Sequence, residues 1–272
     1  MSMTVESIED RSVLVGILGL GYVGLPLAAA FLDAGFRVLG FDTDEAKIVS
    51  LDKGENYLKH LGQEMTRTMR DSDRFEATTD FDRLGEPDAV LLCVPTPLGE
   101  HREPDLFYVE QSTEMAAKTL RKGQLVVLES TTYPGTTRDL MGGILERAGM
   151  KAGEDFLLAY SPEREDPGRE GVTTSSIPKL VGGTCDRSGD LAFRLYDAAI
   201  ASVHKVESAE VAEAAKLTEN IFRAVNIALV NELKVIYDAM DIDVWEVLDA
   251  AATKPFGYMK FTPGPGLGGH CI

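Results

Sequence analysis

Residues Val13–Asp42 read VLVGILGLGYVGLPLAAAFLDAGFRVLGFD. An apolar run passes into a glycine-rich turn, then an alanine-rich helical pattern, then a second apolar run that closes on an acid, which reads as strand, turn, helix, strand. Gly19, Gly21 and Gly24 are spaced G-x-G-x-x-G directly after the first strand and at the start of the helix. Glycines so placed permit a tight turn, close backbone approach to a pyrophosphate and tight helix packing, and the helix N-terminus then faces the phosphates. Asp42 ends the second strand, where a carboxylate accepts bonds from ribose hydroxyls and repels a 2′-phosphate, so the expected cofactor is NAD rather than NADP. The alternative is a strand-to-helix turn with no ligand. Lys47, on the following helix, is placed either to reach a phosphate or hydroxyl or to stand in solvent as a surface lysine.

Ala89–Val94 and Leu125–Leu128 also read as strands buried on both faces, separated by a helical pattern from about Asp105 to Leu120. Ile144–Ala148, Phe156–Tyr160 and Leu180–Gly182 continue the alternation, which predicts a doubly wound, Rossmann-type parallel α/β sheet running to about residue 200. After Ser208 the run AEVAEAAKLTENIFRAVNIALVNELKVIYDAM carries neither glycine nor proline and predicts one long helix. Its apolar residues go almost all the way round, so its own domain, a neighbouring domain or a second subunit should cover it. The expected division is a NAD-binding Rossmann-like domain over 1–203 and a helical central segment over 204–272. The final KPFGYMKFTPGPGLGGHCI is rich in turn formers and should be an ordered binding loop.

The chain has 272 residues with 27 basic and 44 acidic side chains, a formal charge of −17, which disfavours nucleic acid as a partner. No apolar run is long enough for a membrane span and the first residues do not resemble a signal peptide, so a cytoplasmic protein is expected. Cys93, Cys185 and Cys271 are too few and too scattered for a disulfide framework or a metal cluster, and no metal is expected.

Several polar groups stand where burial is otherwise the rule. Glu129-Ser130-Thr131-Thr132 follows an apolar strand, and in an open parallel sheet the carboxyl ends of strands line the ligand crevice; capping of the next helix is the alternative. Glu163, in the charged turn Tyr160–Gly168, reaches the same edge and can take a proton from water, unless the turn is merely a solvated loop. Lys216 and Asn220 share one face of the long helix and offer donors to a developing oxyanion, or the lysine simply snorkels. Cys271 follows GPGLGGH, where glycines leave the sulfur accessible as a nucleophile, although an isolated cysteine is commonly inert. Cys93 and Cys185 are assigned no role.

These residues resemble the UDP-glucose/GDP-mannose dehydrogenase family of nucleotide-sugar oxidoreductases. GLGYVGLPLA at 19–28, CVPTPL at 93–98, ESTTYPGTT at 129–137, SPERE at 161–165, AEAAKLTEN at 212–220 and GPGLGGHC at 264–271 occur in family order across the whole chain. The resemblance implies a four-electron oxidation of a UDP-sugar at C6, alcohol to aldehyde to acid, with two NAD⁺ consumed in succession and the uronic sugar supplied to polysaccharide biosynthesis. It implies Cys271 as the nucleophile that forms a thiohemiacetal and then a thioester, and Glu163 as the base for hydrolysis. Lys216 and Asn220 would be the oxyanion stabilisers, Thr131 the holder of a catalytic water. Gly19, Gly21, Tyr22, Val23, Gly24, Asp42, Lys47, Thr96 and Thr131 match NAD contacts, and the long helix would pair two subunits as a homodimer.

The SPEREDPG loop and the chain's last motif are most similar to the branch that oxidises UDP-N-acetylglucosamine. Pro167 occupies a position where the UDP-glucose branch carries a second glutamate, which argues against UDP-glucose. The family pattern continues beyond Cys271 with an aspartate and a third, UDP-binding domain, so the sequence is expected to be C-terminally truncated and poorly able to turn over. The rival readings are UDP-glucose oxidation, a two-electron β-hydroxyacid dehydrogenase, which has no use for Cys271, and a non-catalytic NAD-binding or dimerisation fragment.

Overall fold

The computed structural model describes residues 3–58, 62–99, 103–164 and 177–266. The chain forms two compact units, Met1–Ala214 and Ala215–Ile272. The first opens with α1 (Val5–Glu9), β1 (Leu14–Leu18), α2 (Gly24–Asp33), β2 (Arg37–Phe41), α3 (Glu45–Lys53), α4 (Gln63–Asp71) and β3 (Phe75–Thr78). It continues with β4 (Ala89–Leu92), α5 (Phe107–Thr119), β5 (Leu125–Leu128), a π-helical turn (Thr136–Met141), α6 (Gly142–Glu146) and β6 (Leu157–Tyr160). Then come β7 (Lys179–Gly183), α7 (Asp186–Asp197), β8 (Val203–Lys205) and the first turn of α8 (Ala209–Asp238).

The strands form one sheet in the order β3-β2-β1-β4-β5-β6-β7-β8, which is the doubly wound α/β arrangement. Successive strand residues enter opposite cores: Leu125 and Val127 pack on one side with α2 and α7, Val126 and Leu128 on the other with α5 and α6. Helix α2 reads apolar on every face because it is covered on every face, Gly24 to Leu32 being buried. Full burial of Leu25, Leu27 and Phe31 contributes about 2 kcal/mol each.

Neighbouring strands run parallel except at β6–β7, which is antiparallel. This departs from the wholly parallel sheet expected from the sequence. An antiparallel neighbour needs no crossover, so β7 begins at the edge where β6 ends. Lys179, its first residue, therefore starts at the carboxyl edge of the parallel strands rather than at the far side.

The second unit carries the rest of α8, an unbroken helix over the length expected, and α9 (Val244–Ala252), whose Asp243 cap accepts from the Trp245 amide at 2.9 Å. Val230, Val244 and Leu248 form its small core with Tyr237 and Phe261 beside them. Ile221, Phe222, Val225, Leu229 and Ile236 are exposed along α8, Ile221, Val225 and Leu229 at four-residue intervals. The final stretch returns to α8 through the Gly264 amide, which donates to Asn231 at 2.9 Å, and through an edge-on contact of Phe261 with Phe222.

Candidate active site

Each glycine of the turn after β1 answers a different steric demand. Gly19 adopts φ +97°, donates its amide to the Phe41 carbonyl at 2.7 Å, and would place a Cβ 2.4 Å from the Cys93 carbonyl oxygen. A Cβ on Gly24 would stand 1.8 Å from the Gly19 oxygen. A Cβ on Gly21 would meet no protein atom within 4 Å, so nothing in the fold excludes a side chain there. The space it would fill lies at the N-terminus of α2, where the helix dipole favours an anion. Val23 precedes α2 with no side-chain cap, and Tyr22 is exposed beside it. These residues fit a pyrophosphate.

Asp42, at the tip of β2, is buried and turned toward this loop. One carboxylate oxygen accepts from the Leu20 amide at 2.9 Å and from Lys47 Nζ at 2.8 Å, the other from the Asp44 amide at 3.0 Å. A carboxylate offers about four acceptor positions, so one is left for a ribose hydroxyl. Lys47 is thus the counter-ion of Asp42, with 28% of its side chain still exposed. Tyr57 donates its hydroxyl to the Leu20 carbonyl at 2.7 Å, and burial, followed by the charge of Asp42, pushes that hydroxyl's pKa up.

The exits of β4 and β5 are tied together. Thr96 donates to the Thr131 carbonyl at 2.9 Å and Ser130 to the Val94 carbonyl at 2.5 Å, leaving Thr131 half-buried at the edge. Glu163 follows β6 on that same edge with 14% of its side chain exposed, its amide donating to the Glu129 carbonyl at 3.2 Å. Beneath it Glu129 is buried, paired with Lys179 Nζ at 2.5 Å and bonded by the Tyr196 hydroxyl. Burial pushes the Glu129 carboxyl up against the pull of Lys179, while the two carboxylates outweigh burial and hold the Lys179 ammonium above the usual lysine range.

Lys179 is marked in the sequence only as a charge opening an apolar strand, legible once the direction of β7 is known. Glu213, fully buried one turn into α8, is not marked in the sequence either; its carboxylate accepts from the Gly135 and Thr137 amides at 2.7 and 2.9 Å and from the Thr137 hydroxyl at 2.7 Å. In the second unit, Lys216 is buried and Asn220 half-buried, one turn apart on α8. Cys271 and Pro167 lie outside the described residues.

Against known proteins, residues 13–200 match the NAD binding domain and residues 210–272 the central domain of the UDP-glucose/GDP-mannose dehydrogenase family. Protein CapL of Staphylococcus aureus is 40% identical over 260 residues, 95% of this chain and 60% of that protein. A UDP-N-acetyl-D-glucosamine 6-dehydrogenase of Pseudomonas aeruginosa is 39% identical over 264 residues, 96% of this chain and 61% of the relative. Among solved structures, the UDP-D-ManNAc dehydrogenase of Pyrococcus horikoshii matches with a TM-score of 0.86 at 33% identity, over 95% of this chain and 62% of that one. The chain spans about 60% of the length of these relatives.

Proposed function

Since the chain belongs to the UDP-glucose/GDP-mannose dehydrogenase family, we propose that it is the NAD-binding and catalytic-helix portion of an enzyme that oxidises C6 of UDP-N-acetylglucosamine to the uronic acid. The observation that carries this reading is that the glycine turn, Thr96, Thr131 and Glu163 leave successive strands at one edge of one sheet. NAD⁺, when bound, would accept the hydrides removed from C6.

The turn amides and the α2 N-terminus hold the pyrophosphate and Asp42 the ribose. The Cys271 thiol adds to the C6 aldehyde, and loss of the second hydride leaves a thioester on that sulfur. Glu163 takes a proton from the attacking water, which Thr131 holds; the thioester bond breaks and the thiol is regenerated. Lys216 and Asn220 donate to the oxyanion of each tetrahedral species.

The sugar is argued from the SPEREDPG loop and from the similarity to the Pseudomonas relative, although the Pyrococcus relative is named for the manno epimer. The exposed apolar stripe of α8 supports a homodimer through that helix. No helix of the described residues is long and apolar enough to cross a membrane, and we place the enzyme in the cytoplasm.

A panel of UDP-N-acetylglucosamine, its manno and galacto epimers and UDP-glucose, followed by NADH absorbance with the protein at its full natural length, tests the reading. The highest kcat/KM should fall on UDP-N-acetylglucosamine, with UDP-glucose lower by about 100-fold or more, because a site that bonds an acetamido group leaves polar groups unpaired when it is missing. Preference for UDP-glucose would overturn the sugar assignment. NAD binding without turnover on any member would favour the non-catalytic module.

A further inference from the structure

Under the Ser161–Arg164 turn, two carboxylates, one ammonium and a tyrosine come together, and the reaction proposed above uses only one of them. Lys179 Nζ lies 2.5 Å from Glu129 Oε2, 3.4 Å from the Pro162 carbonyl oxygen and 3.5 Å from Glu163 Oε2. An ammonium has three protons, and these are three acceptors converging on it. The second oxygen of Glu129 takes the Tyr196 hydroxyl, and the other oxygen of Glu163 takes the Arg164 amide at 2.7 Å. The side chains of Lys179 and Glu129 are 3% and 0% exposed, whereas that of Glu163 is 14% exposed.

Stability alone does not account for such a cluster. Replacing a buried ion pair by apolar residues of similar size is often neutral or stabilising. Here one ammonium serves two carboxylates, and the one that reaches solvent stands at the crevice edge.

We infer that Lys179 is a positioning residue for Glu163: fixed between Glu129 and the Pro162 carbonyl, its ammonium holds the Glu163 carboxylate at the crevice edge, aimed at the water it deprotonates. The inference rests on Glu163 being the base of the hydrolytic step. The groups around Glu163 are Glu129 at the exit of β5, Lys179 of β7, Tyr196 of α7, Cys93 after β4, and Arg164 on its own turn, whose guanidinium donates to the Pro178 carbonyl at 2.8 Å. Burial first, and Glu129 next, push both the Cys93 thiol and the Tyr196 hydroxyl up, so neither is an anion at neutral pH. Lys179 is a cation within 4 Å of both carboxylates.

Replacing Lys179 by Met leaves two carboxylates sharing a site with no ammonium, so one keeps its proton. The acid limb of uronic-acid formation should then move up by about one pH unit or more. Near neutral pH the steady-state rate should fall roughly 10-fold or more, with KM for the sugar falling alongside it so that kcat/KM stays near the parent's. Hydride removal precedes hydrolysis, so a burst of NADH should come before the slow phase. Glu129→Gln removes the competing carboxylate and should shift the same limb down, the opposite sign, while Lys179→Arg should return the limb toward the parent. If Lys179→Met does not fold, Glu129→Gln and Lys179→Arg decide. A rate loss equal at every pH, with the limb unmoved in these variants, would overturn the inference. Glu163→Gln forming acid at the parental rate would instead overturn the assignment of the base, whatever Lys179 does.

Discussion

Gly21→Val weakens NAD binding by about 100-fold or more while the thermal midpoint stays within about 2 °C of the parent. The expectation comes from the space around each glycine of the turn. At Gly21 an added Cβ meets no protein atom within 4 Å, so the fold tolerates it, and the bulk lands where the pyrophosphate approaches the backbone. Gly24→Val behaves otherwise. Its Cβ would stand 1.8 Å from the Gly19 carbonyl oxygen, and Gly19 cannot retreat, because it is held at φ +97° with its own Cβ position 2.4 Å from the Cys93 carbonyl. The turn must break, costing about 3 kcal/mol or more, and cofactor binding is lost together with stability. Calorimetric titration with NAD beside thermal melts separates the two variants. Parental affinity in Gly21→Val, or equal loss of stability in both, would contradict a pyrophosphate seat at this turn.

Glu213→Ala should destabilise the first unit by roughly 3–5 kcal/mol and lower its melting midpoint by roughly 10 °C. The buried carboxylate is the cap of the π-helical turn Thr136–Met141, which begins at Gly135 with φ +100° and has no side-chain cap of its own. Truncation leaves two amides and the Thr137 hydroxyl without their acceptor in a place water reaches poorly. Gln at this position is no rescue, because its amide nitrogen would face an N–H. The Arg138–Glu210 pair one turn earlier on α8 is the internal control. Its 2.5 Å contact is short, but the side chains are 46% and 30% exposed, so Glu210→Ala should cost less than about 1 kcal/mol. A melt of Glu213→Ala indistinguishable from that of Glu210→Ala would show that the cap does not bear this load.

What could be read from sequence was local in origin. The βαβ start follows from glycine spacing and a change of period within thirty residues, and the long helix follows from the absence of any breaker. The edge position of Glu163 and Thr131 needed only the rule that parallel strands present their carboxyl ends to the ligand. Lys179 escaped because its place depends on the direction of β7, which no short pattern in the sequence states. Glu213 escaped because its partners stand 76 and 78 positions away in the chain. The pairing of Lys47 is not legible in sequence because it depends on Asp42, five residues before it, turning its carboxylate onto both Lys47 and the Leu20 amide.

The proposed reaction is a two-stage oxidation of one carbon through a cysteine thioester. The ratio of NADH formed to UDP-uronic acid released, measured for the protein at its full natural length and for Cys271→Ser, tests it most directly. Two NADH per acid are expected in the parent and no acid from Cys271→Ser, with NAD affinity unchanged. One NADH per sugar in the parent, or acid formation that survives the loss of the thiol, would contradict it.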